Sequence, residues 1–204
     1  FKVDKIIFSS TAAVYDKSKN HLKETNLLKP ISNYGKSKLI SEQLIQKNKR
    51  IKYVILRFFN VAGCSIKEKI GEFHNPETHL IPVSVFKAIS NKTINIFGNN
   101  YKTKDGTCVR DYIHVNDICS VILKSTIYLK KNKSTIINVG SGQGISNNEV
   151  LKNLKELIQS KIKIKYLKKR KGDQPRLFCN TNKAKKIIDW NSKNSNLRKI
   201  ILDE

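Results

Sequence analysis

A tyrosine and a lysine near the start of a predicted helix have the spacing of a reactive pair. In the segment SNYGKSKLISEQ, Tyr34 precedes Lys38 by four residues. Residues four apart in a helix are neighbours on one surface, so the phenol and the ammonium can share a proton site. A nearby positive charge favours the phenolate form of tyrosine, which is a base. The pattern therefore predicts an acid/base pair, although an exposed tyrosine beside one of many lysines would give the same spacing.

The cysteines and histidines do not predict a metal site. Cys64, Cys108, Cys119 and Cys179 are widely spaced and form no C-x-x-C pair. The histidines are His21, His74, His79 and His114. Their positions do not supply the clustered ligands that metal binding needs, so we expect no bound metal. Scattered, reduced cysteines favour a cytoplasmic protein.

Strand-like and helix-like segments alternate along the chain and must position the tyrosine and the lysine. KIIFSS predicts a strand, Ser32 begins a helix, and YVILRFFNVAG is apolar enough for a strand covered on both faces. There follow a helix over LIPVSVFKAIS, a strand over TINIFG, a helix capped by Asn116 and a strand over STIINVGSG. Ser146 and Glu149 then form a capping box for a further helix. This order predicts an α/β protein with a parallel sheet.

The charge and hydropathy of the chain argue against two classes of partner. The net charge is +24, but the positive residues are spread along the whole length. No zinc-finger spacing or ribonucleoprotein aromatic motif accompanies them, so we expect no specific nucleic-acid binding. No apolar run approaches the ~18 to 20 residues that a membrane span needs, so we expect no membrane partner.

The two ends of the sequence predict a fragment of a longer protein. The chain opens without methionine directly on a buried-looking strand, with no visible signal peptide. It closes on LRKIILDE, in the middle of an amphipathic pattern. We therefore expect an N-terminally truncated piece.

Seven segments carry a specific resemblance. They are FSSTAAVY, NYGKSKLISEQ, LRFFNVAG, HLIP, IFGNNYKTKDGTCVRDYIHVND, NVGSGQGIS and KRKGDQP. In this order and spacing, the chain resembles the UDP-glucose 4-epimerases of the extended short-chain dehydrogenase/reductase family, which acts on nucleotide sugars. Tyr-x-x-x-Lys marks only the wide superfamily, whereas DGTCVRDYIHV is far more specific. The resemblance covers nearly the whole chain.

The resemblance implies a doubly wound, Rossmann-like parallel sheet for NAD and a smaller C-terminal substrate domain. Residues 1–60 and 112–140 would form the C-terminal part of the dinucleotide-binding domain, and residues 61–111 and 141–204 the nucleotide-sugar-binding domain. The glycine-rich βα turn that would bind the pyrophosphate of NAD is not in this chain. We therefore expect a sheet that is incomplete at its N-terminal half and a fragment that is inactive alone.

The resemblance also gives roles to the reactive residues. Tyr34 would be the acid/base that takes the proton from the sugar 4-hydroxyl, and Lys38 would supply the positive charge and hold the nicotinamide ribose. Thr11 would bridge the 4-hydroxyl and Tyr34, or would simply cap the end of a strand. A hydride from C4 would pass to NAD and return to the other face of a 4-keto sugar. The other cofactor-binding residues would be Ser9, Ser10 and Phe59.

A UDP-sugar site is implied in the same way. Arg110 and Arg170 would hold the diphosphate through their planar, permanently charged guanidinium groups, and Asp173 would bind the uridine ribose. The remaining contacts would be Asn60 at the phosphates, Asn95, Ile96 and Phe97 at the uracil, and His79 and Leu80 along the site.

Leu177 bears on the size of sugar accepted. By resemblance, this fourth residue after Asp173 lines the pocket beside the sugar 2-substituent, where a large aromatic residue confines the site and a small one admits N-acetyl groups. Leucine is intermediate, so we expect a preference for UDP-galactose with weak activity on UDP-N-acetylglucosamine. Simple core packing is the alternative reading of Leu177.

Other functions remain open at this stage. Ala12 and Ala13 stand where 4,6-dehydratases need acidic residues, which argues against that reaction. A UDP-N-acetylglucosamine 4-epimerase or a decarboxylase is not distinguished, and a non-catalytic remnant that binds a partner is an alternative of another class. The chain departs from the family pattern at Asp16, Asn33, Phe58 and Asn100.

A second copy of the chain is the expected protein partner. By resemblance, the helix that carries Tyr34 and the next helix would pack against another subunit in a four-helix contact. We therefore expect a homodimer.

Overall fold

The computed structural model describes residues 3–17, 21–158 and 161–204. Its strands are β1 (Lys5–Thr11), β2 (Lys52–Phe58), β3 (Asn60–Ala62), β4 (Ile94–Phe97), β5 (Val109–Arg110), β6 (Tyr112–His114), β7 (Thr135–Val139), β8 (Ile145–Ser146), β9 (Ile164–Leu167) and β10 (Arg176–Leu177). Its α-helices are α1 (Asn33–Lys47), α2 (Leu80–Ile89), α3 (Val115–Lys131), α4 (Asn147–Ile158), α5 (Asn182–Ile188) and α6 (Leu197–Asp203). A 3-10 turn, η1 (Ala12–Val14), follows β1. The predicted alternation of strands and helices is confirmed.

The main sheet has the order β1-β2-β7, and both pairs of strands are parallel. Its central strand contains Val54, Ile55 and Leu56, which are completely buried. This apolar run fits a parallel strand that is covered on both faces. In the register of the sheet, the end of β1 lies beside Phe58 and the end of β7 also lies beside Phe58. The carboxyl ends of the three strands therefore meet at one edge.

Three smaller sheets accompany the main sheet in the described part of the chain. Strand β3 pairs with β6 and β4 pairs with β9, both in parallel. Strand β5 lies between β10, to which it is parallel, and β8, to which it is antiparallel. Several of these short strands carry predicted substrate contacts, among them Asn60 on β3, Asn95 on β4 and Arg110 on β5.

Two large hydrophobic clusters form the core. One joins the main sheet to α3 and α5, and it contains Trp190, whose indole nitrogen donates to Ser120 at 2.8 Å. The other joins α2, α4 and α6 to β4. Helix α5 thus packs with the main sheet, although it comes late in the chain.

Helix caps agree with the sequence at one helix and differ at another. At α4, Glu149 N–H donates to Ser146 Oγ at 3.1 Å and Ser146 N–H donates to the Glu149 carboxylate at 2.6 Å, which is the predicted capping box. At α3, the prediction that Asn116 caps the helix is wrong. Its N–H donates to Nδ1 of His114 at 3.1 Å, so the histidine is the cap. The His114 ring is buried, and its other nitrogen lies 3.0 Å from Asp203, which fixes the ring in this role.

Asp117 anchors the loop before α6. Its carboxylate accepts hydrogen bonds from the backbone of Lys193, from the backbone and side chain of Asn194, and from the hydroxyl of Ser195. Burial alone would raise the pKa of Asp117, but these hydrogen bonds lower it overall. The ionised carboxylate therefore stabilises this loop.

The helices of the described residues include none that is long and apolar enough to cross a membrane.

Candidate active site

The predicted reactive residues lie at the carboxyl ends of β1 and β2. Thr11 ends β1 beside Phe58, and Asn60 follows on β3. Ligands bind beyond the carboxyl ends of strands in open parallel sheets. Thr11 Oγ1 accepts a hydrogen bond from the N–H of Ala13 at 3.2 Å, so the capping role is present. Because this bond occupies only a lone pair, the hydroxyl hydrogen can still be donated to a ligand.

Helix α1 carries Tyr34 and Lys38 near its start. Ser32 caps the helix by accepting from the N–H of Gly35 at 3.0 Å. Lys38 Nζ lies 5.8 Å from the centre of the Tyr34 ring and donates to the carbonyl of Ser9 at 2.9 Å. Tyr34 is 57% exposed. The structure thus places the phenol beside the ammonium and ties the lysine to β1.

Gly35 allows α1 to approach the end of β1 closely. A Cβ atom on Gly35 would lie 2.4 Å from the carbonyl oxygen of Ala13 and 3.0 Å from Cβ of Pro30. A larger residue would push the start of the helix away from the segment that follows Thr11. The glycine beside Tyr34 therefore sets the distance between the tyrosine helix and the strand end.

A cleft of about 680 Å³ collects most of the predicted substrate residues. This volume is within the range of small-molecule sites, roughly 300 to 1,000 Å³. Nine predicted residues line the cleft: Asn60, His79, Leu80, Asn95, Ile96, Phe97, Arg110, Arg170 and Asp173. They come from segments that are distant in sequence, so only the folded chain brings them together.

The two predicted arginines of the cleft are held in fixed orientations by the protein itself. The guanidinium carbon of Arg170 lies 3.7 Å from the centre of the Phe97 ring, which is cation–π geometry. Arg110 donates to the carbonyl of Gln174 at 2.7 Å, and its Nη2 lies 3.9 Å from Asp173. Two cations therefore line the cleft, with a carboxylate near Arg110.

Three predicted site residues lie deeper in the protein. The hydroxyl of Ser10 donates to Glu42 at 2.5 Å, so any cofactor contact from Ser10 falls to its backbone. Phe59 is buried and belongs, with the partly buried Leu177, to a cluster around Tyr15. Neither Phe59 nor Leu177 is among the described residues that line the cleft.

The sequence reasoning missed a buried charged network beneath the reactive pair. The ion pair between Arg57 and Glu42 is almost completely buried, with Nη2 and Oε2 at 2.7 Å. Arg57 also donates to the hydroxyl of Tyr15 at 2.9 Å, and that hydroxyl donates to Asn138 at 2.6 Å. Burial raises the pKa of Tyr15 to about 12, although Arg57 opposes the shift. The available sequence signal was Glu42 four residues after Lys38, and an arginine inside the apolar run YVILRFF.

Two histidines do come together at the rim of the cleft, contrary to the sequence expectation. The candidate ligand atoms of Glu72, His74 and His79 lie within 4.8 Å of one another, and all three residues are exposed. His74 Nε2 lies 2.8 Å from Glu72, and His79 Nδ1 lies 2.8 Å from Glu77. Histidine–carboxylate hydrogen bonds account for these contacts, and we propose no metal here.

Residues 1–140 match the NAD dependent epimerase/dehydratase family. The chain belongs to this family. It is 40% identical to the UDP-glucose 4-epimerase of Streptococcus mutans, in a match that covers 98% of this chain and 62% of that protein. The chain therefore spans less than two thirds of the length of this relative.

Solved structures of family members confirm the fold. The UDP-glucose 4-epimerase of Bifidobacterium longum, in complex with NAD+ and UDP, has 30% identity and a TM-score of 0.91, and the match covers 98% of this chain and 62% of that one. The UDP-Glc/GlcNAc 4-epimerase of Campylobacter jejuni has 39% identity and a TM-score of 0.77, with 97% and 62% covered. The predicted Rossmann-like α/β fold with a parallel sheet is therefore correct.

Proposed function

We propose that the protein interconverts UDP-galactose and UDP-glucose at C4, through a transient 4-keto sugar and with bound NAD. The observation that carries this proposal is the cleft in which nine separately predicted residues converge. Asn60, which lines this cleft, lies two residues after the end of β2, and β2 ends beside Thr11. The start of α1 lies close to the same strand end, because Gly35 packs against Ala13. Similarity to UDP-glucose 4-epimerases over 98% of this chain supports the same reaction.

The residues at the strand ends fit NAD. The ammonium of Lys38, the exposed phenol of Tyr34 and the carbonyl of Ser9 form a polar set at the edge where family folds bind dinucleotides. We propose that Lys38 and Tyr34 hold the nicotinamide ribose, with Phe59 packing below. The chemistry that bound NAD supplies is the reversible uptake of a hydride from C4 of the sugar.

Proton transfer falls to Tyr34 and Thr11. The phenolate of Tyr34 would take the proton of the 4-hydroxyl, and the phenol so formed would return it to the oxygen of the 4-keto sugar after the sugar has turned over in the site. Lys38 assists because its charge favours the phenolate form. Thr11 would donate its free hydroxyl hydrogen along the same path, since its oxygen already accepts from Ala13.

The cleft would hold the UDP portion of the substrate. Arg110 and Arg170 present planar guanidinium groups suited to a diphosphate, and Asp173 can accept from ribose hydroxyls. Asn95 and Phe97 lie partly exposed on the strand that borders the proposed uracil site. His79 immediately precedes α2, and the N–H groups at the start of this helix favour an anion.

The test is conversion of UDP-galactose by the full-length, NAD-loaded protein. We expect UDP-glucose to form until both sugars are present, with no net change in NAD. A preparation that leaves UDP-galactose unchanged would refute the proposal. If it still bound UDP, the result would favour the non-catalytic alternative.

A second reaction, on UDP-N-acetylglucosamine, is favoured by one observation. The solved relative from Campylobacter jejuni is described as acting on both kinds of sugar, and it is 39% identical to this chain. Leu177 is smaller than an aromatic residue, which leaves room near the proposed sugar 2-substituent. We propose weak activity on the N-acetyl form.

We propose the division into two domains as residues 1–60 and 112–140 against residues 61–111 and 141–204. The two large hydrophobic clusters support it, because one surrounds the main sheet and the other surrounds β4. Among the buried members, the exceptions are helix α5 and Trp190, which pack with the main sheet, and Tyr112, which packs in the cluster around β4.

We also propose a homodimer that uses α1. Ile40 and Leu44 lie one turn apart on this helix and are 56% and 63% exposed. Helix α2, the other expected element, exposes Phe86 and Ile89, although Phe86 also lines the cleft. Leu44→Glu should convert a sedimenting dimer to a monomer, and a wild-type monomer would refute the proposal. The four free thiols favour a cytoplasmic location.

A further inference from the structure

Glu42 is a buried carboxylate on the helix that carries the reactive pair. It lies four residues after Lys38 and eight after Tyr34, so the three side chains follow one face of α1. Its side chain has no solvent exposure. Two of its contacts come from Arg57, with Nη2 to Oε2 at 2.7 Å and Nε to Oε1 at 3.0 Å. This two-bond fork fixes the angle as well as the distance between the helix and β2.

The same carboxylate also holds β1. Ser10 donates its hydroxyl to Glu42 at 2.5 Å. Ser10 stands between Ser9, whose carbonyl accepts from Lys38, and Thr11. Glu42 therefore joins the helix of the phenol and the ammonium to the strand end that presents the bridging hydroxyl.

The network around Arg57 leaves its charge well satisfied. The guanidinium donates to the hydroxyl of Tyr15 and lies 4.9 Å from the centre of that ring. Burial would lower the pKa of Arg57, but its hydrogen bond to Glu42 is among the contacts that raise it overall. The guanidinium of Arg57 is thus charged in the folded protein.

Attachment of the helix alone does not require such a pair. Replacement of a buried ion pair by apolar side chains of similar volume is often neutral or stabilising. The directional fork instead fixes how far α1 is rotated and shifted along β1. A displacement of about 1 Å in a reacting group can cost on the order of 10²-fold in rate.

We propose that Glu42, through Arg57 and Ser10, is a positioning residue that sets the register of α1 on β1 and so aligns Tyr34 and Lys38 with Thr11. This inference rests on the proposed epimerase function. It adds Glu42 and Arg57, which are not among the residues proposed to touch substrate or cofactor.

The experiment compares the full-length wild-type protein with the double variant Glu42→Leu/Arg57→Met. The double variant removes both charges and leaves no unpaired one, so its unfolding midpoint should stay within about 5 °C of wild type. We expect its kcat for UDP-galactose to fall about 10- to 100-fold while KM changes less than about twofold, because the substrate cleft is untouched. The pH optimum should also move upward, because a shifted α1 would break the hydrogen bond by which the Ser9 carbonyl holds the Lys38 ammonium near the phenol. Gln43→Ala, at an exposed neighbour on the same helix, is the matched control and should change none of these.

Further variants and a second readout separate the possible failures. If the double variant does not fold, Arg57→Lys keeps the charge but loses the planar fork, and it should show the same loss of kcat at constant KM. If wild type has no turnover, the proposed function fails, and amide hydrogen exchange over residues 33–38 reports the position of the start of α1 directly. Exchange there should be faster in the double variant than in wild type, because α1 is no longer fixed to β1. Unchanged kcat and pH profile in a folded variant, or unchanged exchange at the start of α1, would overturn the positioning role.

Discussion

Replacing Arg170 by alanine tests the proposed diphosphate contact without requiring catalysis. The guanidinium lies 3.7 Å from the Phe97 ring centre, on the wall of a cleft that this chain forms by itself. A hydrogen bond to a charged group contributes about 1.5 to 3 kcal/mol, which corresponds to roughly 10- to 150-fold in Kd. Arg170 is exposed, so screening by salt should keep the loss near the lower limit, about tenfold.

Isothermal titration of UDP into the chain at fixed ionic strength measures this loss. Lys171→Ala is the matched control, because it removes the same charge from the next exposed position of the same basic run. It should change Kd by less than about twofold, since exposed single charges contribute little. Phe97→Leu should weaken binding about two- to fivefold by removing a cation–π contact of about 0.5 to 1 kcal/mol. Equal effects of Arg170→Ala and Lys171→Ala would show that only net charge matters and would refute the proposed contact.

Three further predictions concern turnover, sugar size and acid stability. In full-length, NAD-loaded protein, Tyr34→Phe should retain UDP-galactose binding but lose on the order of 10²- to 10⁴-fold in turnover, and an unchanged rate would remove Tyr34 from the mechanism. Lys38→Ala should move the pH–rate profile upward, because the phenolate loses its positive neighbour. Leu177→Tyr should abolish activity on UDP-N-acetylglucosamine and spare activity on UDP-galactose. Leu177→Ala should instead raise the activity on UDP-N-acetylglucosamine. If both variants lose stability and both activities in parallel, Leu177 only packs the core. The pKa of Asp117 is lowered from its ordinary 3.8, so its stabilisation should be full above that pH and disappear as the pH falls through the lower folded value. The difference in unfolding midpoint between wild type and Asp117→Asn should therefore shrink in acid.

The local features of the chain could be predicted because they depend on neighbours in sequence. Helix geometry makes residues four apart neighbours, so the spacing of Tyr34 and Lys38 predicts their contact, and the structure places the two side chains together. The Ser146–Glu149 capping box is equally local. Apolar runs such as YVILRFF predicted buried parallel strands, because a strand that is apolar on both faces must be covered on both faces.

The residues of the cleft were predicted by their resemblance to known motifs rather than by physics. Composition does not show that Asn95, Arg110 and Arg170 line one cleft. These three residues come together only because β4, β5 and the segment before β10 pack around the same cleft. The capping role of His114 was missed for a similar reason, since the ring is held by Asp203 from the distant helix α6.

The sequence by itself determined the helix with its phenol and ammonium, the parallel strands and the order of the motifs. Only the tertiary structure decided that the Ser10 hydroxyl points to Glu42, that Arg57 carries a buried charge and that Leu177 packs with Phe59. Each of these depends on a contact between segments far apart in the chain. A periodic pattern shows which face of an element is apolar, but a buried ion pair exists only where two such faces meet and exclude water.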